Sequence, residues 1–255
     1  MSRQFAILVS VLSLALAGHS GLVLAGDSDA AIAAAIADPT RPASDRAQDV
    51  NRKPLAVLSF AGIKPGDKVA DFIPGGGYAT RLFSKIVGPS GHVYAVVPEE
   101  NLEEWKADQA VKAIAADPAF PNVTVVRAPV NRFPAPEPLD LVWTSMNYHD
   151  LHLDFFGPAD LAAVNSSIFA ALRPGGVYIV LDHVAAAGSG LRDAGTLHRI
   201  DPEVVKQEVL KAGFVLEAES DALRNPSDDH TLKVFDGAVR GKTDKFIFKF
   251  RKPAH

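Results

Sequence analysis

The chain has 255 residues and not one cysteine. That excludes a disulfide scaffold, a thiolate-held zinc or iron–sulfur site, a thiol nucleophile and a lipid-modified N-terminal cysteine. Positive charge is not in excess either: 26 Lys and Arg stand against 30 Asp and Glu, net −4. A general nucleic-acid binder needs clustered cations, so no nucleic acid is expected as a partner. The glycine turn at Gly75–Gly77 has no Gly-Lys-Ser/Thr directly after it, so it is not a phosphate-cradling P-loop. Apolar residues make up 47% and charged residues 22%, which excludes a wholly disordered, collagenous or coiled-coil chain.

One long apolar run is present, at the start. Arg3 precedes an apolar stretch from Phe5 to about Ala17, and small-x-small sites follow at Ala15–Ala17 and Val23–Ala25. This is the layout of a secretory signal over residues 1–25. The expectation is an exported protein, periplasmic or secreted, with no stable membrane span after cleavage. No twin-arginine pair is present, so the chain is expected to cross unfolded and without a cofactor.

The remainder alternates strand and helix. Helices are predicted at 27–38, 44–61, 78–87, 102–116, 158–172 and 202–212, with Gly62 as a stop after the second. Strands are predicted at 68–73, 92–97, 123–127, 139–144, 177–182, 214–220 and 245–251. Residues 26–62 form an N-terminal helical segment before a domain spanning 63–255. Such alternation implies a mostly parallel sheet with helices on both faces. Ligands in such sheets bind beyond the C-terminal strand ends. The polar stretch 221–244 is too long for a hairpin turn. It reads either as a solvated loop or as a lid.

Asp71-Phe72-Ile73-Pro74-Gly75-Gly76-Gly77-Tyr78 leads from a strand into a helix. Glycines there let a ligand approach the backbone, and the helix start offers free N–H groups. Leu139–Thr144 and Leu172-Arg173-Pro174-Gly175-Gly176-Val177 follow later in the chain. Together these segments resemble the class I S-adenosylmethionine-dependent methyltransferases over roughly residues 50–251. The acidic residue and glycine turn are similar to the family's first motif, and the Pro-Gly-Gly turn resembles its fifth-strand entry. More narrowly, Leu197–Pro202, Asn225–Asp229 and Arg240–Asp244 resemble a group of exported predicted methyltransferases.

The resemblance implies a Rossmann-like α/β fold: a seven-stranded, mostly parallel sheet with the last strand antiparallel and helices on both faces. It implies S-adenosylmethionine as cofactor and a small-molecule acceptor. Asp71, Pro74, Gly75, Gly76 and Gly77 would hold the methionine end. Val97, Pro98 and Glu99, after the second strand, would meet the ribose, and Asn131 the adenine. Asn147 would line the pocket. The chain departs from the family at Ile73, where a motif glycine is usual, and at Val97, where an acid is usual.

Polar residues gather at the other strand ends: Asn147-Tyr148-His149-Asp150-Leu151-His152, Asp182-His183 and His198-Arg199-Ile200-Asp201. Methyl transfer to an O–H or N–H group needs alignment and a base. His149 is the first candidate base and His183 the second, with Tyr148 positioning the acceptor. The same histidines with Asp182 would permit a metal. Because His149 and His152 follow a strand and do not clearly share a helix face, no metal ligand is assigned. The expected function is methyl transfer to a small-molecule or envelope acceptor. The alternative is a non-catalytic extracytoplasmic binding protein on the same fold.

Overall fold

The computed structural model describes residues 25–254, apart from 101, 103–105, 135 and 157–158. Residues 1–24, and with them nearly all of the expected signal, lie outside the described residues. Seven strands form one sheet: β1 (Lys68–Phe72), β2 (His92–Pro98), β3 (Val123–Ala128), β4 (Leu139–Ser145), β5 (Leu172–His183), β6 (Val215–Ser220) and β7 (Lys245–Arg251). Their order is β3-β2-β1-β4-β5-β7-β6. The first five run parallel, while β7 is antiparallel to both β5 and β6. The expected α/β sheet is therefore present, strand for strand.

Burial on both faces explains the apolar strands. Along β5, Val177, Ile179 and Leu181 join one core, while Tyr178 and Val180 join the other. The first core packs under α1 (Ala25–Ala37), α4 (Pro54–Ala61), α5 (Tyr78–Val87) and α6 (Gln109–Ala116). The second packs under α7 (Leu161–Ala171) and α9 (Pro202–Lys211). Ile32 and Ala35 of α1 are buried against Leu82 and Phe83 of α5. The N-terminal helices thus share the core of the sheet.

Three predicted stretches differ. Residues 44–61 make α2 (Ala43–Arg46), α3 (Asp49–Arg52) and α4 in place of one helix. Lys53 is left-handed, φ 43°, immediately before Pro54. A proline ring disfavours helical geometry in its predecessor and supplies no N–H, so the helix restarts with Pro54 as its first residue. Gly62 is the predicted stop, with φ 78°. Within 102–116, Leu102 is helical, 103–105 lie outside the described residues, and α6 starts at Gln109 after left-handed Lys106. The Asp108 carboxylate there pairs with Arg127 and Lys112 and does not cap the helix. Finally, β5 starts at Leu172, earlier than predicted, because Gly175 N–H bonds the Lys252 carbonyl.

Candidate functional site

The strand ends carry unusual backbone. Ile73, just past β1, has φ 59°, and Met146, just past β4, has φ 60°. Left-handed geometry costs a β-branched residue roughly 1–2 kcal/mol. Asn147 holds the turn: its Nδ2 donates to the carbonyls of Ile73 (2.9 Å) and Ser145 (2.7 Å). Ile73 thus keeps the conformation a glycine would take there without strain.

The three loop glycines play different parts. At Gly75 and Gly76 an added Cβ would meet nothing within 4 Å. At Gly77, φ 77°, it would lie 2.2 Å from Ile114 Cδ1. Gly77 therefore admits helix α6, while Gly75 and Gly76 leave open space. The N-terminal segment grips this loop. Arg81 Nη1 donates to the Gly76 carbonyl and to Asp45, both at 3.0 Å. Tyr78 donates to Asp49 (2.7 Å) and carries the Arg52 guanidinium 4.4 Å from its ring centre.

Above the loop lies a cavity of about 1050 Å³. Asp71, Pro74, Gly75 and Gly76 line it, and so do His149, Asp150, His183 and His198. Arg52, Val57 and Leu58 cover it from the N-terminal helices, and Val234, Phe235 and Arg240 from the 221–244 stretch. The late stretch is therefore a wall. It is tied down by a fully buried Arg199, which grips Asp228 through two bonds of 2.8 and 3.0 Å, and by Arg224 and His230 on Asp244.

Among the polar lining residues, His149 is buried with Nδ1 2.9 Å from Asp182 Oδ1. Asp182 also accepts the backbone N–H groups of His149 and His183. His149 Nε2 lies 3.1 Å from Asp150 Oδ1 and 3.3 Å from His198 Nδ1. Burial pulls the His149 imidazole down, but Asp182 and Asp150 outweigh it and raise it to about 10. The two carboxylates therefore favour the protonated form of the His149 ring. Burial, with Lys245 and His149 nearby, lowers His183 to about 3, so it is neutral and meets Thr243 Oγ1 at 2.7 Å. Burial raises Asp71 to about 6, against the Thr80 hydroxyl 2.6 Å away and the Arg52 charge. Lys245, missed in the sequence, lies in the cavity wall and is lowered to about 8, first by burial and then by Arg52.

Of the expected site, Asp71, Pro74, Gly75, Gly76, Asn147, His149 and His183 line one cavity. Tyr148 does not: it is wholly buried, and its hydroxyl contacts Glu208 (2.9 Å) and Asn165 (2.8 Å). It faces the second core, so it is a framework residue and not an acceptor-positioning one. Val97, Pro98, Glu99 and Asn131 also lie outside the cavity lining. Val97 and Pro98 are buried in the sheet, and Glu99 is exposed. The Asn131 side chain accepts the Asp160 N–H at 2.7 Å. Arg52 and Lys245 carried no local sequence signal, because each sits in an ordinary amphipathic stretch and only tertiary packing turns it inward.

No protein-family model matches the chain. It is 31% identical to the ubiquinone/menaquinone biosynthesis C-methyltransferase UbiE of Shewanella halifaxensis over 182 residues, 69% of this chain and 66% of that protein. It is 28% identical to the UbiE of Ectopseudomonas mendocina over 129 residues, 49% and 45% of the two chains. The chain spans about half the length of the curated relatives it matches first. Its fold is shared with a SAM dependent methyltransferase from Aquifex aeolicus (TM-score 0.57, 17% identity, 88% of this chain and 97% of that one). An arsenic(III) S-adenosylmethionine methyltransferase from Chlamydomonas reinhardtii is similar too (TM-score 0.53, 19% identity, 88% and 73%).

The chain belongs to the class I S-adenosylmethionine-dependent methyltransferases.

The methionine end of that cofactor fits this methyltransferase. Gly75 and Gly76 offer an open backbone cradle at the start of α5, with the Asp71 carboxylate and Arg52 guanidinium in the same cavity. An ammonium and a carboxylate find opposite charges there. The ribose and adenine contacts implied by the resemblance do not join that cavity. Glu100, beside the expected Glu99, accepts the Val130 N–H at 3.0 Å and so holds the ends of β2 and β3 together.

Proposed function

We propose that the chain is an S-adenosylmethionine-dependent methyltransferase acting on a small, mainly apolar acceptor. One observation carries this reading: the glycine loop and the polar strand ends open into a single cavity. Its volume of about 1050 Å³ is at the upper end for small-molecule sites, room for a cofactor's reactive end and an acceptor together. Trp143, Met146, Leu153, Leu181 and Phe235 supply apolar walls. When bound, the cofactor supplies a sulfonium methyl group. The chain's part is to orient, to exclude water and to take a proton. Asp71 and Arg52 hold the amino-acid end. Lys245, in the cavity wall and at about 8, joins His149 as a candidate proton acceptor, since its neutral form is populated near neutral pH. The quinone-pathway name of the relatives supports a hydroxylated aromatic ring as the first acceptor class to try. Calorimetric titration with S-adenosylmethionine should give one site of micromolar affinity, and labelled methyl groups should appear on such a ring. A folded sample with no binding at millimolar cofactor overturns the reading.

We also infer export, from the charged-then-apolar start and small-residue sites before Gly26. Cell fractionation should find the protein outside the cytosol, shortened to begin near Gly26. Full-length protein in the cytosol alone overturns it.

A further inference from the structure

In the cavity wall three possible metal ligands converge: His149 Nε2, Asp150 Oδ1 and His198 Nδ1. They come from two segments far apart in the chain. His149 and Asp150 start the 3-10 turn after β4 (His149–His152), and His198 follows the short helix α8 (Ala194–Leu197). The separations are 3.1 Å (His149–Asp150), 3.3 Å (His149–His198) and 3.5 Å (Asp150–His198). Ligands about 2.0–2.1 Å from a metal lie roughly 3.3 Å apart on a tetrahedron and roughly 2.9 Å apart on an octahedron. The observed triangle has tetrahedral dimensions.

A further observation points the same way. His149 Nδ1 meets the fully buried Asp182, which fixes the ring and leaves Nε2 facing the triangle. A carboxylate behind a ligating histidine is a recurrent feature of metal sites. His198 is the left-handed C-cap of α8, φ 55°, an ordinary helix ending that sets its backbone in place. The next residue, Arg199, anchors it through the Val184 carbonyl and Asp228. All three ligand residues line the large cavity, so a fourth position opens toward whatever the cavity holds.

The geometry points to a four-coordinate zinc(II) site, with His149, Asp150 and His198 as ligands and one open position. A ligand set of two imidazoles and one carboxylate with an open place is the arrangement of catalytic zinc. Facing an acceptor, the ion would bind an oxygen or nitrogen atom of it directly. Asp182 is a positioning residue. The inference does not depend on methyl transfer, because none of the three ligand residues belongs to the glycine loop.

The test uses untagged full-chain protein titrated with cobalt(II), a coloured stand-in for zinc, followed by displacement with zinc(II). One equivalent should bind with the intense visible bands of four-coordinate cobalt, and zinc should bleach them. His198→Ala and Asp150→Asn should each weaken binding at least hundredfold. Asp182→Asn should weaken it ten- to a hundredfold with the band shape kept. Circular dichroism on each variant establishes that it is folded. A folded wild type without bands overturns the site, as do bands that survive both His198→Ala and Asp150→Asn. Unchanged affinity in Asp182→Asn overturns the role of Asp182. Cofactor titration of the same sample reports separately on the methyltransferase reading.

Discussion

Gly75 and Gly76 are neighbours with different constraints. Gly75 has φ 54°, which a side chain would strain, whereas Gly76 is not left-handed and faces open space. Gly76→Val should therefore leave stability within about 0.5 kcal/mol of wild type. It should still weaken S-adenosylmethionine at least tenfold in a calorimetric titration, because the new side chain stands in the cradle. Asp71 gives a prediction in pH. Burial raises its folded pKa from 3.8 to about 6, against Thr80 and Arg52. A raised acid holds its proton more tightly when folded. The advantage is full below pH 3.8 and is lost as pH rises through 6. Asp71→Asn should match wild type near pH 4 and exceed it by up to about 3 kcal/mol at pH 8 in denaturant melts. Cofactor binding should fall in the same variant. For Lys245, lowered to about 8, Lys245→Met should remove the rise of rate with pH through about 8 and leave cofactor affinity within threefold.

Elements were legible where one periodicity ruled. All seven strands follow from apolar runs, and α5 falls on its predicted residues, 78–87. The breaks inside 44–61 were also written in the sequence, as Lys53-Pro54, but the helical periodicity across them masked the proline. The wall 221–244 was not legible, because its order comes from ion pairs between distant residues. Arg199 and Asp228 stand 29 positions apart in the chain. The site divides the same way. The glycine loop is local and readable. The His149–Asp150–His198 triangle needs α8 brought back over β4, which no spacing announces. Tyr148 shows the converse: next to the site in sequence, it points into the opposite core. Because Arg199 and Asp228 are both buried, Asp228→Asn should leave an uncompensated guanidinium and cost about 3 kcal/mol or more in thermal melts. The wall should loosen first, seen as faster amide exchange in 221–244 than in the central strands.

At the scale of the molecule, the cavity is assembled from both ends of the chain. The N-terminal helices bring Arg52 and Leu58, the sheet brings Asp71 and His183, and β7 brings Lys245. Among the described residues no helix is long and apolar enough to cross a membrane. The expected signal ends at Ala25, where α1 begins. The sheet order has a temporal consequence. β7 lies between β5 and β6, and β6 has no other strand partner. Until residues 245–251 emerge, β6 has nothing to pair with and the face of Phe248 and Phe250 has no place in the core. A chain arrested before residue 245 lacks both the Lys245 wall of the cavity and the partner of β6, however much of its length is already in place. The chamber is complete only once the last strand of the chain lies between β5 and β6.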